Sequence, residues 1–236
     1  MKERVLQCFV CIFIVGFVVL SGVQQSEWTV KMVPVLSAAD EEQAFANVLC
    51  SCVRIQGEGY YGSGNIYQIA DEQMIIVTNR HVLEHFGKDS YVTFFDGKCV
   101  AGEVLFLSDN YDLGFLAVDK TAFSEEGLAE YCCVSSSPEI YDTLKKNDGI
   151  FMVDIATDIY KPQKFSGEIM DSMKYLEDYG QEMLYGDSYA KEGMSGCGVF
   201  DVYGNYLATL SGGTSYNEIA AVPLKAIEAE YKKAKK

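Results

Sequence analysis

Between residues 48 and 222 the chain is cut into about a dozen short apolar runs of five to nine residues, parted by Gly, Asp and Asn. Runs of that length complete a strand but fall short of an ordinary helix, so the spacing predicts an all-β fold. One series comprises VLCSCVRIQ (48–56), GNIYQIA (64–70), MIIVTN (74–79), YVTFF (91–95), CVAGEVLFL (99–107) and LGFLAV (113–118). A second comprises EYCCVSS (130–136), GIFMVDIA (149–156), KFSGEIMD (164–171), CGVFDV (197–202), NYLATLS (205–211) and EIAAV (218–222). Asp96-Gly97 and Gly204-Asn205 part neighbours at hairpin spacing, and two sets of about six strands predict two antiparallel barrels or sandwiches. Two helices frame them. Ser37 to Leu49 has a Ser cap and early acids, and PLKAIEAEYKKAKK (223–236) opens with Pro and ends on Lys, as the helix dipole favours.

Ahead of the β-rich part, Val5 to Val23 carries no charge and follows a short flank with Lys2 and Arg4. A basic flank before an apolar run near the ~20 residues of a membrane span reads as a signal peptide or signal anchor over residues 1–25. Residues 26–47 are then a linker with the short helix, and residues 48–236 the folded domain. The expectation is a chain tethered to the membrane by this segment, with the domain outside the cytoplasm, or a secreted one. Six cysteines follow the apolar run: Cys50, Cys52, Cys99, Cys132, Cys133 and Cys197. In an oxidising compartment six thiols allow about 15 pairings. Neither Cys50-x-Cys52 nor Cys132-Cys133 has metal-site spacing, and the reading is of small buried residues with one bridge.

Lys and Arg number 19 against 34 Asp and Glu, a net charge of −15, which argues against a nucleic-acid partner because phosphates demand clustered cations. Only His81 and His85 are present, so any histidine chemistry runs through residues 80–85. Three segments carry chemistry. MIIVTNRHV puts His81 just after a buried-type strand, SDNYDLGFLAV puts Asp112 at the mouth of another, and YAKEGMSGCGVF puts Ser195 in G-x-S-G-x-G before a third. A serine hydroxyl is a weak nucleophile and needs a base; a neutral imidazole is one near pH 7. A carboxylate behind the ring fixes its tautomer and stabilises the imidazolium. The glycines permit a tight turn whose Gly193 and Ser195 N–H groups face a developing oxyanion.

The order His, Asp, Ser, with TNRHV, DLGFLAV and GMSGCG, resembles the trypsin-like serine endopeptidases of the chymotrypsin fold, in particular the HtrA/Deg-like branch, here without a PDZ domain. GSGNIY (62–67), GDSYAKEGMSG (186–196) and IAAVPLKAI (219–227) extend the likeness over roughly residues 48–227. The resemblance implies two six-stranded barrels, about 48–120 and 121–222, and a C-terminal helix over 223–236. It implies His81 as base, Asp112 as orienter, Ser195 as nucleophile, and the Gly193 and Ser195 amides as oxyanion hole. It places Tyr189 at the base of the substrate pocket beside Ala190, and Ser211, Gly212 and Gly213 on the strand that pairs with an extended peptide. A tyrosine at the base favours cleavage after small or medium apolar residues. Met194 and Cys197 depart from the family pattern, without removing a catalytic group.

Two other readings differ in class. His81-Val82-Leu83-Glu84-His85 satisfies H-x-x-E-H, the motif of a zinc peptidase with Glu84 activating water. That chemistry needs a sustained helix and a third ligand, whereas the surroundings are β-rich, so neither metal nor cofactor is expected. A catalytically weak or inactive chain would bind peptides in the same groove by strand addition. The acids of 171–192 read as a solvated loop. The partner expected is a protein or peptide substrate, with oligomeric state left open.

Overall fold

The computed structural model describes residues 40–57, 59–70 and 72–235, all within the unit 31–236. The expected signal or anchor over 1–25 lies outside them, as does nearly all of the linker before Asp40. No helix among the described residues is long and apolar enough to cross a membrane.

The first set of runs forms β1 (Cys52–Gly57), β2 (Tyr60–Ile69), β3 (Gln73–Thr78), β4 (Tyr91–Phe94), β5 (Cys99–Val100), β6 (Glu103–Leu107) and β7 (Gly114–Asp119). They pair antiparallel in the order β5-β4-β1-β2-β3-β7-β6. This corrects the expected six-stranded barrel: the sheet has seven strands and is a half-barrel. The run 99–107 breaks in two at Ala101-Gly102, where a Cβ on Gly102 would stand 2.7 Å from Leu116 Cδ2.

Only the second unit is a closed six-stranded barrel. It comprises β8 (Gly149–Asp154), β9 (Gln163–Leu176), β10 (Gln181–Ser188), β11 (Gly198–Asp201), β12 (Tyr206–Gly213) and β13 (Glu218–Pro223), closing in the order β10-β13-β12-β11-β8-β9. Two expectations change here. Residues 130–136 supply no barrel strand; they run as a connector whose Ser135 makes an isolated bridge to Asn205. The acidic stretch 171–192 is largely a long hairpin, β9 running 14 residues before turning at Leu176–Gly180 into β10. Exposed Glu182 and Asp187 flank a stretch in which the neighbours Met183 and Leu184 are both fully buried, where the β9–β10 register shifts, so an acidic composition covers a barrel strand.

Period 2 also explains how the two units join. In β3, Met74 and Ile76 enter the core of the first sheet while Ile75 and Val77 enter the larger core shared with the barrel. In β7, Leu116 and Val118 take the first side and Phe115 and Ala117 the second. Strands apolar on both faces have no solvent side, which makes the two units one packed body.

Five α-helices and a short 3-10 helix (Lys120–Ala122) complete the described residues: α1 (Glu41–Leu49), α2 (Arg80–Leu83), α3 (Glu125–Leu128), α4 (Pro138–Tyr141) and α5 (Leu224–Ala234). The cap of α1 is Asp40, whose carboxylate accepts the Gln43 N–H at 2.9 Å, rather than the expected Ser37. A disulfide joins Cys50 to Cys132; Cys52, Cys99, Cys133 and Cys197 are free. The bridge spans 82 positions and encloses every strand of the first sheet. Cross-linking so long a loop removes much unfolded-state entropy, worth about 4 kcal/mol in the chain-entropy picture. Reduction should therefore lower unfolding stability by about 2–4 kcal/mol in urea titrations. The Cys50→Ser/Cys132→Ser variant should show the same loss, and reductant should shift it no further.

Candidate active site

The ladder of β3 with β7 ends at the pair Thr78–Gly114. The chain leaving β3 forms α2, and the chain entering β7 is the loop 108–113, so both emerge at the same end of one paired ribbon. Asn79 ties them: its Nδ2 donates to the Asp112 carbonyl at 2.9 Å and approaches Ser211 Oγ at 3.4 Å. Asp112 uses both carboxylate oxygens on one residue. Oδ1 accepts the His81 backbone N–H at 3.0 Å, and Oδ2 lies 2.8 Å from His81 Nδ1. An ionised carboxylate only accepts, so Nδ1 carries the proton and Nε2 keeps a free lone pair. The pair is part-buried, with the His81 side chain 38% and the Asp112 side chain 25% exposed, so the ring remains reachable.

The loop bearing Asp112 has its own anchor. Ser108 Oγ accepts the N–H groups of Asn110 (3.1 Å) and Tyr111 (3.0 Å) and donates to Glu230 Oε2 on α5 at 2.9 Å. Arg80 Nη1 donates to the Ser108 carbonyl at 2.7 Å. Glu230 is buried, which by itself raises its carboxyl; the hydrogen bonds from Lys233, Ser108 and Asn110, with the Lys233 charge, outweigh burial and hold it below the usual range.

Ser195 sits in a turn that only glycine permits on either side. Gly193 has φ +88° and Gly196 φ +89°. A Cβ on Gly193 would lie 2.3 Å from the Tyr61 ring, and one on Gly196 2.1 Å from the Ser63 carbonyl oxygen. Ser63 in β2 pins the turn twice, donating N–H to the Ser195 carbonyl and Oγ to the Gly193 carbonyl, both at 2.8 Å. The Gly196 N–H donates to the Leu210 carbonyl at 2.9 Å and the Cys197 N–H to the Met194 carbonyl at 2.9 Å. The N–H groups of Gly193 and Ser195 have no acceptor among the described residues, so both remain available to a ligand. Gly62 closes the gap between the two candidate segments: a Cβ there would lie within 2.9 Å of the Val82 methyls and 3.2 Å from the Ser195 carbonyl oxygen. Ser195 Oγ makes no hydrogen bond to His81 among the described residues; such bonds often tighten only once substrate is bound.

The zinc motif is used differently. Helix α2 is four residues long, Glu84 pairs with Arg80 at 2.9 Å, and the His85 ring lies on Tyr60 with centroids 4.9 Å apart. His81 is committed to Asp112 through Nδ1.

The expected substrate residues divide. Gly212 and Gly213 line a cavity of about 640 Å³ with Tyr179, Glu218 and Ile219. Ser211 is buried at its edge, beside Asn79. Ala190 rests on Gly213, its Cβ 2.7 Å from where a Gly213 Cβ would stand. Tyr189 is half exposed with its ring 5.5 Å from that of Phe165, and it does not line this cavity. Tyr179 was hidden from sequence reading by the acidic composition around it. It sits in the β9–β10 turn, its hydroxyl 2.8 Å from where a Gly212 Cβ would stand, and it also lines a second cavity of about 320 Å³ beside His81 and Asp112. Burial and then the Asp112 charge raise its phenol above the ordinary value. Cys197 is buried, and burial, then Cys52 and Asp154, push its thiol well up, so the family departure there is an inert thiol.

A family model for the trypsin-like peptidase domain matches residues 50–208. The chain belongs to the trypsin-like peptidase family. Among solved structures, Rv3671c from M. tuberculosis H37Rv, an inactive form of a serine-to-alanine mutant, is similar in fold. Its TM-score is 0.63 at 15% identity, over 88% of this chain and 97% of that one. No curated protein matches the chain.

Two outcomes follow from this family member's geometry. Glu230→Gln should cost about 1–3 kcal/mol near neutral pH. Because the Glu230 carboxyl is lowered in the folded state, its contribution is present above the ordinary carboxylate pKa and lost as pH falls through the folded value. The gap between variant and wild type in urea unfolding should therefore narrow as the pH is lowered below the ordinary carboxylate range. Gly193→Ala, strained at φ +88° and clashing with Tyr61, should remain folded by circular dichroism. Its rate of labelling by a fluorophosphonate should fall by about 10²-fold or more.

Proposed function

We propose that the chain is a serine endopeptidase that hydrolyses protein substrates through an acyl-enzyme on Ser195. The observation carrying the reading is the two-oxygen grip of Asp112 on the His81 N–H and Nδ1, which leaves Nε2 as the base. The Ser195 Oγ–H proton passes to Nε2 as Oγ bonds to the substrate carbonyl carbon, and the carbonyl electron pair collects on oxygen. The unpartnered Gly193 and Ser195 N–H groups donate to that oxyanion. As the intermediate collapses, the C–N bond breaks and the leaving amine takes the proton from His81. Water, deprotonated by the same Nε2, then cleaves the ester and returns the proton to Ser195.

An extended peptide is proposed to pair with Ser211–Gly213 by strand addition, its backbone supplying affinity. Ala190 packed on Gly213, with Ile219 near it, leaves room for a small uncharged side chain before the scissile bond. The motif likeness favours the HtrA/Deg-like branch. The apolar 1–25 segment and the Cys50–Cys132 bridge favour a domain outside the cytoplasm, tethered or secreted. A peptide-binding chain without turnover is the second reading, since strand addition along Ser211–Gly213 needs no reaction at Ser195.

A fluorophosphonate on the full chain separates the two. Labelling of wild type and none of Ser195→Ala or His81→Ala is expected, with Asp112→Asn about 10⁴-fold slower in peptide hydrolysis. Folded wild type that takes up no label leaves only the binding reading.

A further inference from the structure

We infer that the buried ion pair between Asp154 and Lys191 is the positioning device for the oxyanion turn, an inference that rests on the peptidase reading above. Asp154 ends β8 with its side chain 1% exposed. Its Oδ1 accepts the Thr157 N–H at 3.0 Å, and its Oδ2 meets Lys191 Nζ at 2.8 Å, as a charge contact and not an aligned hydrogen bond. A carboxylate so deep costs several kcal/mol unless paired, so Asp154 holds its cation in place. Two further groups on the barrel wall take hold of the same ammonium. Gln163 Oε1, on the register partner of Asp154 across β8–β9, lies 2.9 Å away, and the Phe165 ring centroid lies 5.2 Å away. The Lys191 head group is therefore fixed to the wall from three directions.

One residue transmits that fixation to the chemistry. The Lys191 carbonyl accepts the Met194 N–H at 3.1 Å, closing the turn that contains the Glu192–Gly193 peptide and its N–H. The turn has no charge of its own between Gly193 and Gly196, and Met194 is fully buried and apolar. Ser63 secures the side facing the first sheet through the Gly193 and Ser195 carbonyls. Lys191 secures the opposite end. A peptide next to a glycine with φ +88° rotates with little steric resistance, so releasing Lys191 frees the Gly193 amide to turn from the oxyanion. Lys191 touches no reacting atom; it acts through the turn.

The test compares hydrolysis of a quenched peptide with alanine before the scissile bond with inhibition by the aldehyde of the same sequence, using the full chain. The aldehyde adds Ser195 Oγ to its carbonyl carbon, passes the hydroxyl proton to His81 and leaves an oxyanion in the same hole. Lys191→Met strands a buried carboxylate, so the decisive variant is Asp154→Asn/Lys191→Met, which buries no charge. It is expected to fold, to lose about 10–10²-fold in kcat with KM within about twofold, and to lose aldehyde affinity by the same factor. In a Ser195→Ala background the double change should leave affinity for the uncleaved peptide unaltered, a pattern that a general loss of structure would not produce. Wild-type kcat and aldehyde affinity in the folded double variant, or a defect confined to KM, would overturn the inference alone. An inactive wild type would remove the peptidase reading and this inference with it.

Discussion

The antiparallel ladder between β3 and β7 places the candidate base and its orienting acid side by side. Both strands bury both faces, so neither has a solvent side toward which a slip of register is cheap. Moving either by one residue would exchange Ile76 and Leu116 with Ile75 and Phe115 between two separately packed cores. With the register held, Thr78 and Gly114 close the ladder. The next residues along each chain must meet, and Asn79 and Asp112 complete the contact. The His81–Asp112 geometry is thus a consequence of packing in the sheet below it.

The candidate nucleophile, Ser195, is held on a different principle. Its turn is glycine-rich and, besides its own hydrogen bonds from Met194 to Lys191 and from Cys197 to Met194, is held by contacts from outside. Ser63 grips two of its carbonyls, Thr78 and the Ser63 carbonyl exclude a side chain at Gly196, and Tyr61 excludes one at Gly193. Most of those contacts belong to the half-barrel, whereas Ser195 leads into β11 of the closed barrel. The candidate site therefore exists only where the two units meet, and the shared core that joins them sets its geometry. Closure of only one barrel fits this arrangement: the first sheet packs its second face on its neighbour rather than on itself.

Where the sequence was legible, pattern and chemistry coincided. The runs 74–79 and 113–118 read as strands because β-branched and aromatic residues crowd them, and His81, Asp112 and Ser195 each stand at a strand mouth. Where it misled, composition masked periodicity. Residues 171–192 carry enough acids to resemble a solvated loop, yet bury Met183 and Leu184 in a barrel wall. Residues 130–136 are apolar enough for a strand, but the Cys132 bridge and the Cys132 N–H on the Cys50 carbonyl tie them down as a connector. The resemblance places Tyr189 at the pocket base by its position in the chain, which carries no information about which way a side chain turns, and its ring lies against Phe165.

By itself the sequence determined the all-β class, the two-unit organisation, the C-terminal helix and the three candidate catalytic positions, because alternation, turn residues and local motifs are short-range properties. Tertiary structure alone decided which barrel closes, which of six cysteines pair, and that Glu230 and the Asp154–Lys191 pair support the loops of the site. Those outcomes depend on groups far apart in the chain, 122 residues for Ser108 and Glu230. No local pattern encodes such a pairing; it arises when folding buries a polar group and leaves one partner within reach.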